Sequence, residues 1–245
     1  MTAFTIDAFY SGRIKLFQPK TGFRAGTDSL LLASALDHEM EGQALELGTG
    51  SGGALLPAAF RLPKMTFTGV ELDAEMVGLA ERGISENGFE NRVTVEAFDA
   101  AALPGDWQKR FDLVFSNPPF FEPGTIQAPG EGKERAYMES LTLRDWLNVM
   151  LFALRPKGTL TLVHRAADLA RILTVLERQT GEITVLPVHS YPGLEAKRVL
   201  VRARKGLRPG PLRLLEPKYL YVEKGGARTD WALAMQRDGA EIAWN

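Results

Sequence analysis

Ala44-Leu45-Glu46-Leu47-Gly48-Thr49-Gly50-Ser51-Gly52-Gly53 decides how this chain folds. Its first four residues are short and apolar enough for a buried strand. Glycines at 48, 50, 52 and 53 then let the backbone turn sharply and approach a ligand closely. Ala54 to Leu62 reads as a helix, with Pro57 tolerated near its first turn. Strand, glycine-rich turn and helix in that order open a β-α-β unit whose helix start offers free N–H groups to a ligand. A tight turn with close packing would use the same glycines, so this stretch alone leaves both readings open.

The strand ends that follow sharpen the choice. Met65 to Val70 is a second strand ending at Glu71-Leu72-Asp73, and Glu71 stands 19 residues after Gly52. An acid about 20 residues beyond a glycine-rich turn can accept the hydroxyls of a ribose. Ala74 to Asn87 is a helix that breaks at Gly88, and Arg92 to Ala97 is a third strand. It ends in Phe98-Asp99-Ala100, where the Asp99 carboxylate can accept from an adenine amino group or cap the next segment. Phe111 to Ser116 is a fourth strand, and it delivers Asn117-Pro118-Pro119-Phe120. The prolines remove N–H groups and bias the residues before them toward extended backbone, so Asn117 is held stiffly. Carbonyl acceptors beside an aromatic plate suit a planar group bearing an amino nitrogen; a Pro-rich turn is the plain alternative.

Four successive strand ends thus carry glycine or polar features, all at carboxyl ends, where open α/β sheets bind ligands. Leu143 to Leu154 is a helix closed by Arg155-Pro156-Lys157-Gly158. Thr159 to His164 is a fifth strand, Leu169 to Gln179 a helix, and Ile183 to Val188 a sixth strand. Too few residues separate this strand from Lys197–Arg204 for a helical crossover, so the seventh strand is antiparallel. The expected fold class is α/β: a Rossmann-like, doubly wound, seven-stranded sheet, mostly parallel with one antiparallel strand. The whole chain, 1–245, reads as a single domain with an N-terminal arm (1–25), a core (26–205) and a C-terminal extension (206–245).

Charge hints at the partner. Net charge is −1, yet residues 1–132 hold 10 Lys+Arg against 18 Asp+Glu, while residues 133–224 hold 17 against 9. Such asymmetry fits an anionic partner meeting one part of the surface. In the arm, Arg13, Lys15, Lys20 and Arg24 interleave with Phe9, Tyr10, Phe17 and Phe23, a pairing that suits either a solvated arm or contact with nucleic acid. Residues 121–140, rich in Gly and Pro, form a loop over the site, ending near Arg135 and Tyr137, which can hold phosphate or base. From Lys197 to Arg213 there are seven basic residues and no acid. Alternation places Val199 and Val201 on one face and Arg198, Arg202 and Arg204 on the other, as a charged edge strand or a phosphate-binding row.

Composition excludes several classes. With no cysteine there is no disulfide, thiolate metal site or cysteine nucleophile, and His38, His164 and His189 lack zinc spacing, so no metal is expected. Met1 to Phe17 has no apolar signal region and no stretch is long enough to span a bilayer, so a cytoplasmic location with no membrane partner is expected.

Glu46-Leu47-Gly48-Thr49-Gly50-Ser51-Gly52, Glu71, Asp99 and Asn117-Pro118-Pro119-Phe120 together resemble the class I S-adenosylmethionine-dependent methyltransferases that modify amino groups. Gly22-Phe23-Arg24-Ala25-Gly26-Thr27-Asp28-Ser29 and Arg198-Val199-Leu200-Val201 resemble flanking segments of the bacterial tRNA(Val) adenine-37 N6-methyltransferases. The resemblance implies S-adenosylmethionine as cofactor, held by Thr27, Asp28, Glu46, Gly48, Thr49, Gly50, Gly52, Glu71, Leu72, Asp99, Ala100 and Asn117. It implies Asn117, Pro118 and Phe120 as the catalytic group. Phe120, Arg135, Tyr137, Arg198, Arg202 and Arg204 would meet an RNA substrate, tRNA in this family. Adenine-specific members usually carry Tyr where this chain has Phe120, and Phe is shared with rRNA guanine-N2 enzymes. Protein glutamine methylation uses the same tetrapeptide. A nicotinamide dehydrogenase shares the glycine turn and ribose acid but leaves the tetrapeptide unexplained, and an RNA-binding module would leave the cofactor pocket vestigial.

Overall fold

The computed structural model describes residues 3–22, 24–119 and 141–244. Phe120, Arg135 and Tyr137, and Phe23 of the arm, lie outside them. The strands of the expected core are β3 (Gly42–Leu47), β4 (Met65–Glu71), β5 (Val93–Ala97), β6 (Phe111–Ser116), β7 (Leu154–Arg165), β8 (Thr180–His189) and β9 (Arg198–Lys205). They lie in the spatial order β8-β9-β7-β6-β3-β4-β5. β3 pairs in parallel with β4 and β6, and the sheet reverses direction from there, the topological switch point at which doubly wound folds bind ligands. β9 runs antiparallel to both β7 and β8, as the short connection requires.

Helices cover both faces. α1 (Thr27–Ser34), α2 (Leu55–Arg61) and α3 (Ala74–Glu86) pack Leu31, Leu55, Leu56 and Ile84 against Leu113, Phe115 and Leu200 on one face. α4 (Leu143–Ala153) and α5 (Leu169–Leu176) pack Leu147, Leu151 and Ile172 against Val114, Leu162 and Val201 on the other. The two clusters take alternate residues of each strand, as a sheet buried on both faces demands. Thr142 opens α4 through a reciprocal capping box with Asp145, and Asp73 caps α3 by accepting from the N–H groups of Glu75 and Met76.

Three expectations change. The N-terminal residues are not a free arm but a hairpin, β1 (Phe4–Phe9) and β2 (Ile14–Pro19), turned by Tyr10 and Ser11 at positive φ. Tyr10, Ile14 and Leu16 are buried in the core, and three of the four cations of this segment bond to the protein itself. Arg13 donates to the Arg237 carbonyl, Lys15 pairs with Glu86 and Arg24 with Asp7. β7 starts at Leu154, so Arg155 to Gly158 begin a strand with an irregular register against β6 as well as ending α4. Residues 206–244 add β10 (Arg213–Leu214) and β11 (Lys218–Tyr219) to β8, making the sheet nine-stranded among the described residues.

The same extension ends in α6 (Asp230–Asp238), capped by Thr229, and a tail that returns to α1. The Ile242 N–H donates to the Ser34 carbonyl and the Trp244 indole to the Ala35 carbonyl, both at 2.8 Å. This tail decides the fate of the arginine row. Leu200 and Arg202 face it, and the Arg202 guanidinium lies 5.7 Å from the Trp244 ring centre, its pKa pushed down by burial. β9 is therefore an interior strand and not a charged edge.

Candidate active site

Register sets the site. Leu47 of β3 pairs with Val70 of β4 and with Ser116 of β6, so Gly48, Glu71 and Asn117 are the first residues past one common level of three adjacent strands. Neighbouring strands lie about 4.8 Å apart, which spreads Glu71 and Asn117 over roughly 10 Å with the glycine turn between them. Asp99 lies two residues beyond Ala97, the partner of Glu71, one strand further out.

The glycine turn is held from below. Gly48 and Thr49 donate to the Val70 carbonyl at 2.9 and 3.0 Å, and Gly50, in the left-handed region at φ +54°, donates to Glu71 Oε2 at 2.8 Å. Gly53 lies so close to Ala25 that any Cβ there would collide, which seats the segment before α1 directly on the turn. That segment is itself pinned, since the Ala25 N–H donates to the buried Gln18 side chain of the hairpin.

Glu46 and Glu71 play different parts. Glu46 is fully enclosed under the turn and accepts from Thr49 Oγ1 at 2.5 Å. Burial, with the Glu71 charge adding to it, pushes its carboxyl up to about 8, so it is protonated at neutral pH. An ordinary carboxyl in the unfolded chain ionises near 4.5. Between those values the folded state holds the extra proton, so stability should fall as pH rises from about 4.5 to about 8, at up to about 1.4 kcal/mol per pH unit from this group. Glu46→Gln keeps an acceptor for Thr49 and removes the proton. Urea unfolding at pH 5, 6.5 and 8 should show the variant gaining on the wild type at each step; parallel curves would contradict a protonated Glu46.

Glu71 is also buried, but its carboxylate is tied to backbone. Oε1 accepts from the Leu72 and Asp73 N–H groups at 2.9 and 3.0 Å, and Oε2 from Gly50. A carboxylate has about four lone-pair sites, so one on Oε2 is left for a ligand hydroxyl. Asp99 accepts from the Ala101 N–H at 2.8 Å and so caps a short helical turn while keeping its other oxygen for a ligand. Glu71, Leu72, Asp99, Ala100 and Gly48 do line one cleft, together with Phe98, Leu141 and Trp146. It measures about 20 Å³, room for about one water.

Trp146 is the residue that sequence reasoning missed. Its ring backs onto Gly48, where a Cβ would sit 3.1 Å from it, and its indole N–H donates to Ser116 Oγ at 3.0 Å. Ser116 Oγ in turn donates to the Leu47 carbonyl at 2.7 Å. This chain ties the ends of β3 and β6 together and sets where Asn117 leaves the sheet. Asn117 and Pro119 are half-buried and Pro118 is buried. The amphipathic pattern of α4 marks Trp146 as inward-facing, but nothing local pairs it with a glycine almost a hundred residues earlier.

Other expected residues are engaged within the fold. Thr27 and Asp28 open α1, with Gly26 at its cap. Asp28 forms an ion pair with Arg198. Because β9 is antiparallel, only Arg198, beside Arg165, lies at the site edge, whereas Arg204 pairs with Thr159 at the far end. Arg204 donates to the Lys157 carbonyl at 2.9 Å and lies 3.7 Å from Glu182. The three arginines thus form no common row facing solvent.

A switch-point cleft with a glycine turn, a buried acid at the next strand end and an Asn-Pro-Pro strand end marks the ligand-binding edge of a doubly wound α/β fold. The chain belongs to the methyltransferase small domain family, whose model matches residues 23–187. It is 29% identical to a tRNA1(Val) (adenine(37)-N6)-methyltransferase of Porphyromonas gingivalis, over 79% of both chains. A Shewanella baltica protein of the same name is 27% identical over 81% of this chain and 82% of its own. The crystal structure of a predicted O-methyltransferase from Agrobacterium tumefaciens superposes with a TM-score of 0.73 at 26% identity, covering 89% of this chain and 99% of the other.

Proposed function

We propose that this protein is an S-adenosylmethionine-dependent methyltransferase acting on the exocyclic N6 of an adenine in tRNA. The observation that carries the reading is the shared level of Gly48, Glu71 and Asn117, which sets a nucleoside-binding acid and an amine-holding amide on either side of one glycine turn. The relatives named for adenine-37 of tRNA1(Val) support the substrate class. In support of the cofactor, Glu71 Oε2 and Asp99 are acceptors suited to a ribose hydroxyl and an adenine amino group, and Gly48 to Gly52 leave room for a backbone approach. Residues 1–245 act as one domain, with the hairpin and the C-terminal tail as its braces.

Bound S-adenosylmethionine supplies a methyl group that is already electrophilic, so the protein's task is mainly alignment. The lone pair of an aromatic amine is delocalised into its ring and attacks poorly. Asn117 Oδ1 and the Pro118 carbonyl accept both N–H bonds of that amine and turn its lone pair toward the methyl. Phe120 stacks on the base, which must leave its own stack to reach the site. The amine held by Asn117 and Pro118 would take the methyl as its bond to sulfur breaks, and the extra proton on nitrogen would then be lost to water. No helix among the described residues is long and apolar enough to cross a membrane, and tRNA is a cytoplasmic substrate, which is where this enzyme is proposed to act.

The rival targets are a guanine N2 in rRNA and a glutamine amide in a protein. All three present a planar amino group to the same acceptors. Incubation with methyl-labelled S-adenosylmethionine and, separately, tRNA, rRNA and a cell protein extract, followed by nucleoside and peptide mass spectrometry, separates them. N6-methyladenosine from tRNA is expected; N2-methylguanosine or N5-methylglutamine would replace the reading with one of its rivals.

A further inference from the structure

The arginines of β9 are each held by other parts of the chain, which raises the question of what else could meet an RNA backbone. Several described arginines are occupied: Arg13, Arg24, Arg155, Arg165 and Arg171 each pair with a carboxylate. Arg144 and Arg178, like the exposed Arg208 and Arg213, form no such pair among the described residues. Arg144 and Arg178 are both exposed, and among the described residues neither has an acidic partner within 4 Å. They converge on one groove of about 270 Å³ between α4 and the end of α5, lined by Arg144, Asn148, Thr174, Val175, Arg178 and Gln179.

The lining is rich in donors and carries no carboxylate. Two guanidinium forks and the amides of Asn148 and Gln179 stand around a buried Val175 floor. Planar forks with no competing acid suit a phosphodiester, which offers oxygen acceptors and one negative charge. The groove's position ties it to the active site. Arg144 and Asn148 are four residues apart on the outer face of α4, while Trp146, on the inner face of the same helix, lines the cofactor cleft and bonds to the residue before Asn117. A helix is about 10–12 Å across with its side chains, so the two sites are separated by little more than one helix.

We infer that the Arg144–Arg178 groove holds backbone phosphates of the RNA substrate, anchoring the strand that flanks the target base. The inference rests on the proposed RNA-methylating function and adds the surface that positions the substrate. Phosphate contacts orient an RNA without reading its sequence, so this site sets affinity and register while Asn117 and its neighbours choose the base.

The test is tRNA binding by wild type and by the Arg144→Gln/Arg178→Gln variant, at several salt concentrations, with calorimetry of S-adenosylmethionine alongside. Each phosphate contact adds about 0.7–0.9 to the slope of log K against log salt. Losing two should lower the slope by about 1.4–1.8, so between 50 and 200 mM salt the wild type should lose roughly tenfold more affinity than the variant. Cofactor affinity should be equal in both, which also reports that the variant is folded. A wild type that binds tRNA with the same slope and affinity as the variant would overturn the groove and leave the methyltransferase reading standing. A wild type that binds no tRNA, yet methylates protein, would overturn both.

Discussion

Replacing Asn117 with alanine should lower single-turnover methyl transfer by about 10²–10³-fold while S-adenosylmethionine affinity stays nearly unchanged. Although the resemblance counts Asn117 among the cofactor residues, its chief expected role is to hold the amine. The magnitude is that of deleting one preorganised group that acts mainly in the transition state. The split between turnover and cofactor affinity follows from the register. Asn117 leaves the sheet on β6, whereas the ribose acid stands on β4, with β3 and its glycine turn between them. An interaction made only while the amine rehybridises lowers the rate without changing ground-state binding of the other substrate. Asn117→Asp keeps an acceptor and should retain part of the rate. Single-turnover kinetics with calorimetry on both variants decides the matter. Near-native turnover in Asn117→Ala would reduce the tetrapeptide to a turn.

Glu71→Ala should weaken S-adenosylmethionine by about 10- to 150-fold, the equivalent of a hydrogen bond to a charged group at roughly 1.5–3 kcal/mol. It should also destabilise the fold, for a reason that only the tertiary structure shows. Its carboxylate accepts from the N–H groups of Gly50, Leu72 and Asp73, so truncation strips three backbone donors of their partner at once. An orphaned buried donor costs about 1–3 kcal/mol, less where water can reach it. Glu71→Gln separates the two roles, because its single oxygen can serve part of the backbone set while its NH2 cannot accept from a ribose. Calorimetry and thermal unfolding should therefore show Glu71→Ala deficient in both binding and stability, and Glu71→Gln deficient chiefly in binding. A Glu71→Ala variant with unchanged cofactor affinity would remove this residue from the site.

Much of the architecture was legible because it is written in local chemistry. The apolar runs of β3, β4, β5 and β6 end in glycine, acid or Asn-Pro-Pro, and each run lies within a residue or two of the strand expected from it. The antiparallel β9 follows from loop length alone, since eight residues cannot carry a helical crossover. Glu71, Leu72, Asp99, Ala100 and Gly48 were read from spacing and resemblance, and they do line one cleft. The family relationship was visible in the same motifs, which lie within the residues that the family model matches.

What the sequence determined by itself, then, is the order and type of the elements and the identity of the strand ends. Those depend on periodicity, on glycine and proline, and on short spacings within one β-α-β unit. Tertiary structure alone decided which charges are free. Arg198, Arg202 and Arg204 read as a solvent-facing row, yet Asp28, Trp244 and Lys157, all distant in sequence, occupy them. Lys15, Arg24 and Arg13 of the N-terminal hairpin are likewise satisfied by Glu86, Asp7 and the Arg237 carbonyl. Arg144 and Arg178, which no motif singled out, are left facing a groove without an acid. A cation's partner is set by which faces the fold brings together, and alternation along one strand carries no information about that.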